Sequence, residues 1–210
     1  MTGKDQDTEQ RILDAAHAIF LKRGTAGARM QEIADEAGVN KALLHYYFRS
    51  KERLAEAVFA RVARGLFPPV FVILASDDEI ETKVERVIAH YLDTVSASPF
   101  LPGYVLSEMQ HHPERIERLV ETAVEAPAEG IALPVVAKLG AQIDARVRAG
   151  TLRPVAPDQF VVSLLSLCLF PFAARPLLQV SLGWGQEEFA EFIEARKREL
   201  PGFFLNALRP

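Results

Sequence analysis

The chain has 210 residues, of which 49% are hydrophobic and 25% are charged, with a formal net charge of -4 at pH 7. This composition excludes a disordered protein and allows a sizeable core in one or two domains. Its single cysteine, Cys168, excludes an intramolecular disulfide and fits a reducing compartment.

Apolar residues follow a helical rather than an alternating pattern, so we expect an all-α fold. The N-terminal stretch MTGKDQDTEQ lacks the apolar run of a secretory signal. The longest apolar run, 160–174, is shorter than the roughly 20 residues of a membrane span. We therefore predict a cytoplasmic protein that does not enter a membrane.

Charge is distributed unevenly along the chain. Residues 1–66 carry 11 Lys and Arg against 9 Asp and Glu, a net charge of +2, whereas the remainder carries 13 against 19, a net charge of -6. The segment from Val39 to Arg64 has six basic residues and two acidic ones, a net charge of +4. A locally basic segment in an acidic chain indicates an anionic partner.

The first predicted helix begins at a capping box formed by Asp7 and Gln10, and Gly24 ends it. Its apolar stripe consists of Ile12, Ala16, Ile19 and Phe20. An amphipathic helix of this kind packs its stripe against the elements that follow.

The segment from Arg29 to Lys51, RMQEIADEAGVNKALLHYYFRSK, has the pattern of a helix-turn-helix. Apolar residues at helical spacing predict a short first helix, Gly38 supplies the left-handed turn, and Asn40 can cap the second helix. The apolar residues of the first helix are Met30, Ile33, Ala34 and Ala37.

The second helix should bury Leu44 and Phe48 and turn its other face outward. We predict DNA contacts on that face and at its edges, from Arg29, Gln31, Asn40, Lys41, Leu43, His45, Tyr46, Tyr47 and Lys51. The alternative for the segment is a three-helix packing unit with a solvated basic face. For His45 alone, partial burial against the first helix is the alternative to a phosphate contact.

Residues from about Thr8 to Leu66 resemble the DNA-binding domain of TetR-family transcriptional regulators. The residues that match the family pattern are Gly24, Ile33, Ala34, Ala37, Gly38, Val39, Leu44, Tyr47, Phe48, Lys51 and Leu54. The chain departs from this pattern at Ala28 and Arg29, where relatives often have a hydroxyl cap, at Leu43, and at His45, where Tyr is usual. The resemblance implies that Gln31 can reach a base edge.

A third helix is predicted from Lys51 to about Phe67, and Pro68-Pro69 should interrupt it. We place the boundary between the two domains here: a three-helix helix-turn-helix DNA-binding domain, 1–66, and a larger α-helical ligand-binding and dimerisation domain, 67–210. Further helices are predicted at 77–96, 100–110, 114–125, 133–149, 158–180 and 186–200, and Pro201-Gly202 should kink the last one.

The last two predicted helices offer more apolar surface than a small domain hides, which predicts a homodimer. The expected interface residues are Phe160, Leu164, Leu167, Phe189, Phe192 and Phe203. The family resemblance implies the same arrangement, in which these helices pair with their twofold mates as a four-helix bundle.

No motif in the sequence indicates catalysis, a cofactor or a metal site. A phosphate-binding glycine loop, a nucleophile elbow and an H-E-x-x-H motif are all missing. His111 and His112 are adjacent and lack a third ligand at helical spacing, so a helix-ending polar pair is the preferred interpretation. Apolar neighbours should make Cys168 inert. We predict that the protein is not an enzyme.

The resembling fold implies a small-molecule cavity in the C-terminal domain. The candidate lining residues are Phe67, Phe71, Tyr91, Phe100, Tyr104, Met109, Phe170 and Trp184. They suit an apolar or aromatic effector, although core packing is the alternative for each residue singly.

Taken together, these patterns predict a homodimeric, sequence-specific DNA-binding transcriptional regulator of a roughly palindromic double-stranded operator. The family resemblance implies a repressor that a small apolar or aromatic effector, of unknown identity, releases from this operator. Two alternatives stay open: an activator of the same fold, and a helix-turn-helix module for protein contacts. An enzyme or carrier with an incidental basic face is a third class, which predicts no salt-dependent duplex affinity.

Overall fold

The computed structural model describes residues 3–111, 116–125, 129–130 and 132–210. Within these ranges it contains α-helices and no β-strand, which confirms the all-α fold. The helices are α1 (Gly3–Gly27), α2 (Met30–Ala37), α3 (Lys41–Phe48), α4 (Lys51–Ala75), α5 (Ile80–Ala97), α6 (Leu101–His111), α7 (Ile116–Val124), α8 (Leu133–Arg148), α9 (Pro157–Ala173), α10 (Arg175–Leu182) and α11 (Gln186–Asn206).

The chain divides into two compact units. The first comprises the described parts of Met1–Arg64 and Ser98–Glu125, and the second comprises those of Gly65–Ala97 and Ala126–Pro210. The sequence predicts a boundary at residue 66 with a single domain beyond it, whereas α6 and α7 group with the N-terminal helices.

In the first unit, α1 packs against α2, and α2 packs against α3. The stripe predicted for α1 is buried here, since its four residues are at most 7% exposed. The other main members of this core are Ile33, Ala34, Leu44, Phe48, Leu54 and Val58. This packing fixes the orientation of α3 through its two apolar residues, Leu44 and Phe48.

In the second unit, α5 packs against α9 and α11, and α9 also contacts α8 and α10. Its fully buried side chains include Leu66, Leu74, Val84, Ile88, Leu92, Leu139, Phe160 and Leu164. Lys83 is 0% exposed in this apolar core, where its Nζ donates to the Leu74 carbonyl oxygen at 2.8 Å and to Gln142 Oε1 at 2.5 Å.

Helix α1 begins earlier than predicted. The capping box at Asp7 and Gln10 is wrong, because the chain is already helical from Gly3 and Asp7 lies inside the helix. Nothing between Gly3 and Asp7 breaks a helix, so the helix extends upstream. Gly24 has φ 67° and ψ 169°, so a non-helical residue interrupts α1 at the predicted position.

Helix α4 continues through Pro68 and Pro69 to Ala75, so the predicted interruption is wrong. A proline inside a helix costs about 3 kcal/mol, because it removes a hydrogen bond and crowds the preceding turn. Val70, Ile73 and Leu74 are at most 7% exposed. Since burying such a side chain contributes about 1.5–3 kcal/mol, these three offset the two prolines.

The predicted helix at 158–180 is two helices, α9 and α10, which meet at a bend of 62°. Ala174 leaves the helical conformation at φ -95° and ψ 10°. Pro176 explains the break, since it has no N–H to donate and its ring would clash with the carbonyl group of Phe172. Helix α11, in contrast, continues past Pro201 to Asn206.

Candidate nucleic-acid interface

The turn between α2 and α3 has the geometry that the sequence predicts. Gly38 lies in the left-handed region at φ 63° and ψ 35°, and the Val39 N–H donates to the Ala34 carbonyl oxygen at 3.0 Å. Asn40 has an extended backbone, and its Oδ1 accepts a hydrogen bond from the Leu43 N–H at 2.7 Å. These local contacts end one helix and begin the next within three residues.

Helix α3 has one buried face and one exposed face. Leu44 and Phe48 are 0% and 7% exposed, whereas Tyr46 is 78% exposed. Lys41, Ala42, Leu43 and His45 are also exposed. The exposed face thus combines a cation, a phenol, an imidazole and an aliphatic side chain, which can contact phosphates, base edges and thymine methyl groups.

The two residues at the edges of α3 differ in their surroundings. The Tyr47 hydroxyl donates to Asp5 Oδ1 at 3.3 Å, and burial together with the charge of Asp5 raises the pKa of this tyrosine. His45 is exposed, and its Nδ1 lies 3.1 Å from the Arg49 carbonyl oxygen. The exposed position of His45 favours a contact with phosphate over burial against α1.

Lys51 is half-buried, and its Nζ donates to the carbonyl oxygens of Ala26 at 3.1 Å and Ala28 at 3.4 Å. These carbonyl groups lie at the end of α1 and just before α2, where helical hydrogen bonds run out. Lys51 therefore holds the connection between α1 and α2, a structural role that no local sequence signal indicates.

Internal partners occupy part of the predicted basic surface. Arg61 pairs with Asp14 at 2.6 Å, and Arg53 pairs with Glu56 at 3.1 Å. Gln31 donates to Asp35 Oδ1 at 2.8 Å. Among the described residues, no ion pair involves Arg29, Lys41 or Arg49. These three cations are exposed, so they are available to an anionic partner.

Arg29 and Arg49 flank the helix-turn-helix at its two ends. Arg29 precedes α2 in an extended conformation and makes no side-chain cap, as the absence of a hydroxyl residue leads us to expect. Arg49 follows α3 with a positive φ of 50° and ψ of -43°. A positive φ is uncommon for a residue with a side chain.

The residues predicted to line a ligand pocket fall in both units. In the first unit, the Phe100 ring lies 5.4 Å from the His17 ring, and the Tyr104 ring lies 5.1 Å from Phe59. Phe100 and Tyr104 line a groove of about 440 Å³ that also includes Lys51. Met109, in the same unit, is 53% exposed.

The remaining pocket candidates, Phe67, Phe71, Tyr91, Phe170 and Trp184, belong to the second unit. Tyr91 is buried in its core, and this burial raises the pKa of the phenol well above its ordinary value. Phe170 is 60% exposed, and the Trp184 ring packs 4.9 Å from the Phe192 ring. Core packing and surface exposure therefore account for these three residues, and the common pocket stays a prediction.

The predicted dimer residues separate into an internal and an external group. Phe160, Leu164 and Phe189 are at most 4% exposed within the single protomer, so they have no surface left to contact a partner, and we correct their assignment to core residues. Leu167, Phe192 and Phe203 line a groove of about 300 Å³ on the surface of the second unit.

Strongly exposed apolar side chains lie on α9, α10 and α11. They are Val162, Phe170, Leu177, Val180, Leu182 and Phe203, each at least 53% exposed. Five of them, Val162, Phe170, Leu177, Val180 and Leu182, were not among the predicted interface residues. Recognising the break at Pro176 would have separated α10 and revealed its apolar side chains.

Helix α4 and the histidines bear on other function classes. Helix α4 has the length and apolar composition of a membrane span, but half of its most apolar stretch is buried, as in the core helix of a soluble protein. In the described part of the chain, no three His, Cys, Asp or Glu residues lie close enough to hold a metal ion. His111 Nδ1 lies near the Ser107 carbonyl oxygen, and His112 lies outside the described residues.

Helix α3 is capped by Asn40, packs into one core with α1 and α2, and exposes a face that carries charged, aromatic and aliphatic side chains. This arrangement is characteristic of the helix-turn-helix class of proteins. Residues 12–58 match the family model described as bacterial regulatory proteins, tetR family. This segment therefore belongs to the TetR family, as the sequence resemblance indicates, and it includes every residue that carries the resemblance.

Known proteins extend this similarity. The chain is 35% identical over 126 residues to the HTH-type transcriptional repressor SCO4008 of Streptomyces coelicolor, an alignment of 56% of this chain and 62% of that protein. It is 32% identical over 90 residues to the HTH-type transcriptional regulator SrpR of Pseudomonas putida, covering 43% and 40%. The alignments thus span from two fifths to about three fifths of these two relatives.

The whole chain also resembles solved structures. The TetR family transcriptional regulator PfmR of Thermus thermophilus superposes with a TM-score of 0.66 at 18% identity, over 93% of this chain and 97% of that one. At this level of identity the similarity establishes a common fold for nearly the full length.

Proposed function

We propose that the protein is a homodimeric transcriptional regulator that binds a roughly palindromic DNA operator through α3 and acts as a repressor. The observation that carries this proposal is the exposed face of α3, on which Tyr46 is 78% exposed while Leu44 anchors the opposite face at 0%. Membership of residues 12–58 in the TetR family supports the same role.

The exposed chemistry suits recognition of a DNA groove. Lys41 is the first residue of α3 and Arg49 is the residue that follows it, so both can contact phosphates at the ends of the helix. Leu43 and Tyr46 lie between them on the exposed face. Gln31 has a side-chain amide that matches the N6 and N7 atoms of adenine once it exchanges Asp35 for a base. Phosphate contacts would fix the register, and the central side chains would supply specificity.

Exposed apolar residues on α9, α10 and α11 support the dimer. Leu167, Phe192 and Phe203 line a surface groove, and Val162 and Phe170 are at least 60% exposed on α9. Exposed apolar side chains that are concentrated on neighbouring helices favour an interaction site, and a twofold pair would present two α3 helices at a fixed separation. We also propose a cytoplasmic location and control by a small-molecule effector.

The DNA-binding proposal is tested with duplex fragments selected from random DNA and measured by mobility shift. We expect Lys41→Ala to weaken binding and to reduce the salt slope by about one unit, because one phosphate contact is lost. Tyr46→Ala should also weaken binding. The matched control is Lys138→Ala on α8, whose lysine pairs with the exposed Asp77, and it should bind as the wild type does.

If the variants Lys41→Ala and Tyr46→Ala retain duplex DNA as the wild type does, a protein-interaction module is favoured. If the wild type shows no salt-dependent affinity for duplex DNA, the proposal is overturned. A reporter placed behind a selected operator distinguishes a repressor from an activator by the sign of the change when the protein is expressed.

The dimer is tested by analytical ultracentrifugation at micromolar concentration. Phe203→Glu places a charge on the proposed interface and should shift the protein to a monomer. The control is Val72→Glu on α4, which changes an apolar residue of similar exposure, 68% against 66%, outside the proposed interface. A wild-type protein that sediments as a monomer would contradict the dimer.

A further inference from the structure

A cleft of about 550 Å³ opens in the first unit beside the end of the recognition helix α3. Helices α3, α4 and α7, together with the residue that follows α3, contribute its lining. A volume of this size lies within the range of small-molecule sites. The proposed contact between α3 and DNA does not account for it, since α7 contributes Arg118 and Thr122 to one wall.

The charged lining of this cleft is strongly one-sided. It contains three arginines, Arg49, Arg53 and Arg118, and one carboxylate, Glu56, which leaves a net charge of +2 in a chain whose formal charge is -4. Arg53 pairs with Glu56 at 3.1 Å. No ion pair of Arg49 occurs in the part of the chain that the structure describes. Guanidinium groups bind carboxylates and phosphates through paired N–H donors, so the rim is suited to an anion.

The rest of the lining is apolar and aromatic. Phe48 is 7% exposed and Ala60 is 4% exposed, while Tyr47 and Ala57 are half-buried. The surfaces of these side chains cannot pair with an ion, but they can exclude water from a planar ring. A simple inorganic anion would use the arginines and leave this apolar surface in contact with water.

We propose that this cleft binds a small aromatic carboxylate, with its carboxylate on the arginine rim and its ring against Phe48 and Ala57. This site is separate from the groove that contains Phe100 and Tyr104. Tyr47 of the cleft is also a predicted DNA-binding residue, and Arg49 of the cleft is proposed to contact a phosphate, so the ligand places negative charge where a phosphate would bind. This last consequence rests on the proposed DNA-binding function.

Binding is measured first without DNA, by isothermal titration calorimetry on the full-length protein. The probes are 2-naphthoate, its neutral analogue 2-naphthamide, and inorganic phosphate at matched ionic strength. We expect saturable binding of one naphthoate per protomer, and binding of the amide and of phosphate that is at least about tenfold weaker, since each lacks one of the two recognised groups.

Two variants locate the bound probe. Arg118→Gln should weaken naphthoate binding by about fivefold or more, because it removes one guanidinium from the rim while leaving the predicted DNA-binding residues unchanged. Arg148→Gln on α8, another exposed arginine, should bind as the wild type does. Circular dichroism melting checks that both variants fold, and the exposure of Arg118 leads us to expect unchanged melting.

Three results would overturn the site. Equal binding of 2-naphthamide would show that charge plays no part, equal binding of phosphate would show that the ring plays none, and unchanged binding by Arg118→Gln would place the probe elsewhere.

A mobility shift of duplex DNA in the presence of naphthoate then tests whether the ligand competes with DNA. Failure to retain any DNA would refute the proposed function and leave the ligand site standing, whereas retention that naphthoate does not weaken would refute the competition.

Discussion

The ammonium nitrogen of Lys51 lies 3.1 Å from the carbonyl oxygen of Ala26, which ties the first residue of α4 to the end of α1. The same nitrogen also lies 3.4 Å from the carbonyl oxygen of Ala28. A lysine that satisfies carbonyl groups at a helix end stabilises the fold whether or not DNA is present.

Replacing Lys51 should therefore affect stability as well as DNA binding. We expect Lys51→Ala to lower the free energy of unfolding by about 1–2 kcal/mol, because two charge-assisted contacts are lost from a half-buried site. Urea denaturation measures the change. Lys41→Ala is the comparison and should alter stability by less than about 0.5 kcal/mol, since the lysine is exposed and has no described ion partner. Equal stability of the two variants would refute the structural role of Lys51.

The cap of α3 provides a second prediction. Asn40→Ala should destabilise the protein by about 1 kcal/mol, because the Leu43 N–H loses its side-chain acceptor. Asn40→Asp keeps an acceptor and should keep the stability, but it adds a negative charge near the proposed DNA surface and should weaken DNA retention. Thermal unfolding and mobility shift measure the two effects separately. A stability loss in Asn40→Asp as large as that in Asn40→Ala would argue against the cap.

The buried Lys83 provides a third prediction. Lys83→Met should lower the free energy of unfolding by about 1–3 kcal/mol, since the Leu74 carbonyl group at the end of α4 loses its donor in a buried site. Lys138→Met is the control, because Lys138 is partly exposed and pairs with an exposed Asp77. Chemical denaturation at pH 7 makes the comparison, and similar losses for both variants would contradict it.

Stability should also depend on pH through Lys83. Burial, followed by the nearby charge of Lys138, lowers the pKa of Lys83 below its ordinary 10.5. Between the lowered native pKa and 10.5 the unfolded chain binds more protons than the native state, so rising pH favours the native state. The wild type should therefore gain stability relative to Lys83→Met as pH approaches 10.5. A difference that shrinks as pH rises would have the wrong sign.

Cys168 should be unreactive in the native protein. Burial raises the pKa of its thiol to about 12, whereas an unfolded cysteine has a pKa of about 8.5. At pH 8 the thiolate fraction should thus be about a thousandfold lower in the native state, and access is blocked as well. Titration with Ellman's reagent, with and without urea, measures the rates. Fast native labelling would show that the region around α9 opens readily.

Local signals predicted the helix-turn-helix well. Gly38 and Asn40 act through contacts with residues at most four positions away, so the sequence itself contains most of the information that fixes the turn. The same is true of the buried pair Leu44 and Phe48, whose spacing sets the outward face of α3. These features follow from backbone geometry and helical periodicity.

Features that depend on distant partners were harder to predict. Helix α4 tolerates Pro68 and Pro69 because the side chains that follow them in the helix are buried. Pro176 instead breaks a helix, and the helix that follows, α10, buries no side chain. Lys51 shows the same limitation, since its carbonyl partners lie at least 23 positions away. The candidate pocket residues share only an aromatic or thioether character, which does not distinguish a cavity from a core.

The unfavourable backbone conformation of Arg49 offers a way to raise the thermal stability of the protein. A residue with a side chain at φ 50° and ψ -43° is in a sparsely populated region, which costs on the order of 1 kcal/mol, and glycine would relax it. Arg49→Gly should therefore give a more heat-resistant protein that holds anions less well. At this position resistance to heat and attraction for anions therefore oppose each other. The natural residue retains a guanidinium beside α3 at the expense of stability.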